Sequence, residues 1–215
     1  VSLVMHNEEP PGNPNFVQNQ NIFWNHRNAV LNFANMLYNH GVMFNYQSDW
    51  NFLQAVALYD TGTPSTNGKN LLRYMKEDLG FEIDPHAHES QYNYADVASL
   101  IDACGVPTSH TAGGMIVGPP QNSILEQFWQ PMTGDIYPGY TWQAQILWGG
   151  GTAMHVNEQP LWTSGVWHPK DRFNFLVHDA GAPLPNVGNY GGNWTNLDRL
   201  LAIRSAGEFR NRIHT

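Results

Sequence analysis

A chain of 215 residues with 41% hydrophobic and only 13% charged residues has the length of one domain and can bury a sizeable core. Eight Trp, nine Tyr and ten Phe exclude a disordered chain, and a net charge of −8 excludes a nucleic-acid binder, which needs a basic face. No apolar run approaches the ~20 residues that span a bilayer, so no membrane span is expected.

In chain order, Ser2–His6 reads as a short buried strand, followed by an Asn- and Pro-rich loop to about Asn25. Arg27–Asn39 spaces Val30, Leu31, Ala34, Leu37 and Tyr38 as one helical face, closed by Gly41. Val42–Tyr46 reads as the second strand, with Asp49 capping a helix through Leu58. A helix over Asn67–Leu79 stops at Gly80, Phe81–Asp84 is strand-like, and Asn93 caps the helix Tyr94–Cys104. Further strands are expected at Pro107–His110, Gln145–Trp148, Leu161–Val166 and Phe173–His178, and helices at Asn196–Arg204 and Glu208–Ile213. The Gly-, Pro- and aromatic-rich Gly113–Gly151 interrupts this rhythm and reads as loops over one end of the sheet. Strand, helix, Gly and strand in alternation predict an α/β fold with parallel strands and outer helices, a single domain over residues 1–215.

The single cysteine, Cys104, has no internal disulfide partner and lies in an apolar stretch, where a small buried side chain is expected. The chain has no initiator Met and no signal peptide, and reads as a mature or trimmed product. Abundant Trp and Asn with little Lys suit an extracytoplasmic (secreted or periplasmic) carbohydrate-active protein.

The chemistry sits where the predicted strands end. His6 is followed by Glu8 and Glu9, and Asp49 follows the second strand. Asp84, His86 and His88 follow the third, His110 ends the fourth, Trp167 and His168 follow the Leu161 strand, and His178 precedes Asp179. Ligands and catalytic groups gather at the carboxyl ends of parallel strands, so these residues would converge if the sheet closed. An H-x-H pair can turn two imidazoles to one side. Glu8 with His86 and His88 then forms a two-imidazole, one-carboxylate ligand set for a divalent metal, zinc first, with iron, cobalt and nickel also suited. Such an ion would acidify a bound water for attack on an acyl carbonyl.

In order and position the sequence resembles the polysaccharide deacetylase superfamily, carbohydrate esterases with a distorted (β/α)7 TIM-like barrel. Val4–Pro10 (VMHNEEP) stands where that family has T-F-D-D-G-P, and Gly80–Ser90 (GFEIDPHAHES) is similar to its G-x-E-I-x-N-H-S/T-x-x-H segment. Ser109–Gly114 (SHTAGG) occupies the place of R-x-P-Y/F, and Phe175–Asp179 (FLVHD) is similar to the final L-x-H segment. The resemblance implies a metal-dependent deacetylase-like hydrolase with a carbohydrate substrate, His86 as metal ligand and His178 as general acid. Glu9 and His110 complete the candidate catalytic set; Asp49, Trp148, Trp167 and His168 are the candidate substrate-binding residues. Departures accompany it: Asn7 stands at the position of the family's base, Ser90 at that of its second histidine, and the arginine is absent. Trp129, Trp142, Trp148, Trp162, Trp167 and Trp194 lie in or beside irregular segments, where indoles can face sugar C–H groups. Two further readings are a non-catalytic carbohydrate-binding barrel that has lost its base, and an amidohydrolase-like barrel, in which H-x-H would belong on the first strand.

Overall fold

A computed structural model describes residues 2–7, 15–87, 92–116, 125–150 and 165–188. Its first half repeats strand and helix. Strand β1 (Ser2–Asn7) leads to helix α1 (Gln20–Asn39), then to β2 (Met43–Ser48) and α2 (Trp50–Tyr59). A 3-10 turn (Pro64–Thr66), a short helix α3 (Leu71–Arg73) running into a π-helical segment (Tyr74–Asp78), β3 (Glu82–Pro85) and α4 (Tyr94–Ala103) follow. The second half is mainly strand: β4 (Thr111–Ile116), a 3-10 turn (Leu125–Trp129), β5 (Met132–Thr133), β6 (Thr141–Trp142), β7 (Ile146–Gly150), β8 (Val166–Trp167) and β9 (Asn186–Val187).

The helices begin where side chains take up their first amide hydrogens. Asn19 Oδ1 accepts from Ile22 N at 3.1 Å, and the Asp49 carboxylate accepts from Trp50 N at 2.6 Å. Asn93 and Asp96 form a reciprocal capping box at α4. The long loop expected up to Asn25 is thus shorter, because Asn19 starts α1 at Gln20. The single helix expected over Asn67–Leu79 is broken up: Asn70 caps a new start at Leu71, and the last turn widens to π geometry.

The expected seven-stranded barrel is not what forms. Among the described residues there are three separate sheets: parallel β1-β2-β3, the four-stranded β4-β7-β9-β8, and the hairpin β5-β6. β3 and β4 pack together without sharing a ladder. β3 is only four residues long and ends at Pro85, which has no amide hydrogen to donate, while β4 bonds β7 instead and shifts register between Gly113 and Met115. β8 runs antiparallel to β9, which no all-parallel barrel permits.

The core lies between the first sheet and its helices. Phe44 and Tyr46 project from β2 onto Phe33, Phe52 and Phe81, mostly edge to face, and all five rings are buried. Cys104 belongs to this core; its thiol donates to Leu53 O, and burial pushes its pKa up to about 12, which makes it inert as a nucleophile. No helix among the described residues is long and apolar enough to cross a membrane.

Candidate functional site

The strands of the first sheet alternate, and one of their two faces is polar. Register pairs His6 with Gln47 and Gln47 with Asp84, so these three side chains form a row on one face. Asn45, two residues before Gln47, and His86, two after Asp84, extend that face along the strands. The opposite face carries Met5, Phe44, Tyr46 and Ile83, directed at the helices. On the polar face Asn45, Gln47, Asp84 and His86 are at most 4% exposed, so this is a buried surface rather than a solvated one.

His6 and His86 lie at the carboxyl ends of β1 and β3 and stack, their ring centroids 4.5 Å apart and their planes 28° apart. His86 Nδ1 lies 2.8 Å from the carbonyl oxygen of Gly113. A carbonyl only accepts, so Nδ1 carries the hydrogen and Nε2 holds the lone pair of the neutral ring. Tyr94 donates its hydroxyl to the same carbonyl at 3.0 Å. The Gly-Gly pair of β4 makes room for this arrangement. A Cβ on Gly113 would stand 2.6 Å from Gln47 Cδ, and one on Gly114 would stand 2.5 Å from His86 Cε1 and 2.7 Å from His6 Cε1.

Below this pair, Asp84 accepts from Asn45 Nδ2 and from Ser109 Oγ, both at 2.6 Å. Burial pushes its carboxyl above the ordinary aspartate range, a shift the two hydrogen bonds oppose without cancelling. Asn45 Oδ1, Gln47 Oε1 and Nε2, and Trp148 Nε1 are buried and have no hydrogen-bond partner among the described residues.

The residues named from the sequence are distributed as follows. His86 is in the cluster, and Asp84 beside it. Glu8, Glu9 and His88 lie outside the described residues. His110 stands at the amino end of β4, exposed, with Nδ1 donating to Gln143 O at 2.8 Å. The strand expected over Pro107–His110 starts instead at Thr111, because Thr108 turns back onto α4 through Asp102 and Ala98. His168 and His178 neighbour each other, the His168 amide donating to His178 Nδ1 at 3.1 Å. His168 Nδ1 in turn donates to Ala182 O at 2.7 Å. They follow the exit of antiparallel β8, and therefore lie at the amino end of β9, not at the carboxyl ends where a barrel would gather them. The segment Phe173–His178 is a turn rather than a strand, since Asp171 Oδ1 accepts from the amides of Phe173 and Asn174.

Asp49 is a buried helix cap. Trp167 is a core residue, 3% exposed, its indole N–H donating to Phe175 O at 2.7 Å. Trp142 is likewise buried, donating to Ser109 O at 2.8 Å; Trp162 and Trp194 lie outside the described residues. Trp148 is half-buried on β7, where it registers with Gly113 of β4. Asn7, at the position of the expected base, is buried and points to the helix side, where Oδ1 accepts from His26 Nε2 at 2.6 Å and Nδ2 donates to Ser48 Oγ at 3.2 Å.

Gln47, Asn45 and the Gly113–Gly114 pair were not among the candidates. The signal for the first two was present in Met43–Ser48, where Asn and Gln alternate with Phe and Tyr. Among the described residues no three His, Cys, Asp or Glu side chains come together as a metal-binding group. Comparison with family models, with curated proteins and with solved structures finds no match to this chain.

Proposed function

We propose that the protein is a metal-dependent hydrolase acting on a carbohydrate, with His6 and His86 as its imidazole ligands to a divalent cation. The observation that carries this reading is the stacked His6–His86 pair on a buried polar face at the carboxyl ends of β1 and β3. Parallel strands are where such chemistry collects, and an imidazole fixed through Nδ1 to a carbonyl has the outer-shell support usual for metal-binding histidines. The two-nitrogen donor set suits zinc, and equally iron, cobalt or nickel.

Such an ion, when bound, supplies a Lewis acid that lowers the pKa of a water molecule toward neutrality. The chain's own groups orient and enclose. The Gly113 carbonyl fixes the plane and tautomer of His86. Asp84, held toward its neutral form by burial, ties Asn45 and Ser109 into the floor of the site. Trp50 and Tyr92, which follow β2 and precede α4, stack at 4.4 Å and 10°, and Gln54 Nε2 donates to Tyr92 Oη at 2.8 Å. A half-buried aromatic pair rimmed by an amide suits a sugar ring.

A second reading, a carbohydrate-binding protein without catalysis, is favoured by Asn7, an amide already committed to His26 and Ser48 where a carboxylate base is expected. Elemental mass spectrometry on protein purified without chelator, beside His6→Ala, His86→Ala and Glu8→Gln, separates the two. About one equivalent of transition metal, lost in the histidine variants, is the expected result. Wild-type metal content in His86→Ala would refute the hydrolase reading, and absence of metal even after zinc loading would favour the binding protein.

A further inference from the structure

Four polar atoms of Asn45, Gln47 and Trp148, on β2 and β7, are buried and unpartnered among the described residues, and Gln47, which carries two of them, registers with His6. Gln47 contributes both an amide donor and a carbonyl acceptor, Asn45 an acceptor, and Trp148 an indole N–H donor. Gln47 itself is fully buried. Its amide lies over the α-carbon of Gly113, so closely that a Cβ there would be 3.0 Å from Nε2. Gly113 registers with Trp148 of β7, and registered parallel neighbours project to the same face. Trp148 therefore stands on the face that Gln47 occupies, with Gly113 between them. The missing side chain at Gly113 is what lets Gln47 pack against the strand that registers with Trp148.

Buried polar groups in native proteins are almost always paired, and a cluster of exceptions calls for a ligand or a water. The chemistry of the cluster narrows the choice. Neither Lys nor Arg belongs to the row His6, Asn45, Gln47, Asp84, His86 and Trp148, so the side chains at Gln47 and Trp148 offer an anion no cationic partner of their own. Two of the atoms are donors and two are acceptors, so the ligand must do both, as hydroxyl groups do. The indole adds an apolar plane suited to the C–H face of a pyranose.

We infer that Gln47, Asn45 and Trp148 form the subsite that binds the hydroxyl groups of a neutral sugar ring beside the imidazole pair. This deepens the carbohydrate reading above and does not require the metal. Because the Gln47 amide is unpartnered in the ligand-free protein, replacing it with an apolar side chain of similar size relieves a cost instead of breaking a bond. Binding and stability then move in opposite directions, which no packing residue would do.

The test uses the whole chain, with Gln47→Leu and Trp148→Phe. Probes are cellotetraose, xylotetraose and chitotetraose, with tetragalacturonate as the anionic counterpart. Binding is followed by calorimetry and tryptophan fluorescence, stability by urea unfolding, and metal content by mass spectrometry. Wild type is expected to bind at least one neutral oligosaccharide in preference to the uronate. Gln47→Leu should weaken that binding about tenfold, one lost hydrogen bond with its desolvated partner, while its unfolding midpoint holds or rises. Trp148→Phe should weaken binding by a similar factor and remove part of the fluorescence change. Binding of the uronate alone, binding of none, undiminished affinity in Gln47→Leu, or a fall in that variant's unfolding midpoint would each overturn the inference. Weakened sugar binding in a protein that carries no metal would sink the hydrolase reading and leave the subsite standing.

Discussion

Substituting Gly114 with alanine tests the packing of the site. Gly114 has φ +65°, a region costing an L-residue about 1 kcal/mol. Gly41, at φ +66° with nothing within 4 Å of a Cβ, carries the same backbone cost and no other. At Gly114 the new methyl would also stand 2.5 Å from His86 Cε1 and Nδ1, and 2.7 Å from His6 Cε1. His86 cannot retreat without losing its bond to Gly113 O, and His6 is stacked against it. Overpacking of this kind costs about 1–3 kcal/mol. Gly114→Ala should therefore lose about 2–4 kcal/mol against about 1 for Gly41→Ala. At roughly 2–4 °C per kcal/mol for a chain of this size, Tm should fall by about 4–16 °C and 2–4 °C respectively. Urea unfolding followed by tryptophan fluorescence gives both differences. Equal losses in the two variants would mean that the imidazoles do not rest on Gly114.

Three further outcomes follow from buried polar groups. Arg27 and Asp60 are a buried ion pair at 3.0 Å, and Arg27→Ala leaves the carboxylate uncompensated; it should lose about 3–5 kcal/mol in chemical denaturation, and a loss under about 1 would refute the reading. The Asp96 carboxylate, fully buried, accepts from the amides of Asn93, Asp135, Ile136 and Tyr137 at 2.8–3.0 Å, tying the turn before β6 to the start of α4. Asp96→Ala should cost about 3 kcal/mol and speed hydrogen exchange at Ile136 and Tyr137; unchanged exchange there would contradict that role. Asp84 has its pKa raised in the folded state by burial, so above the unfolded value of about 3.9 the folded protein binds more protons than the unfolded one. Its contribution to stability thus falls as pH rises from the unfolded to the folded pKa, and Asp84→Asn should gain on wild type across that window. A pH-independent difference between the two would remove the argument.

Much of the fold is carried by local signals. Asp49 and Asn93 mark helix starts because a short polar side chain can take a free amide hydrogen, and both do so. The first three strands and their parallel order follow from apolar runs separated by helices. The strand after Pro107 was placed four residues early, because T-A-G-G-M-I has little strand propensity of its own. What selects it is tertiary: only glycine leaves space for Gln47, His6 and His86. That shift moves His110 from the carboxyl to the amino end of β4, and the antiparallel course of β8 does the same to His168 and His178. Strand direction is set by partners distant in sequence, so a list of histidines next to strands could not reveal which of them share an end. His86 was legible as a candidate ligand from its H-x-H spacing; its neighbour Gln47, an uncharged amide in an apolar strand, offered no such signal.

The carbonyl of Gly113 has one more effect. It bonds the nitrogen of His86 that keeps its hydrogen in both the neutral and the cationic ring. Tyr94 occupies the carbonyl's second lone pair, so the first residue of α4 and the imidazole are gauged against a single oxygen atom. The aim of that ring is thus fixed by the backbone.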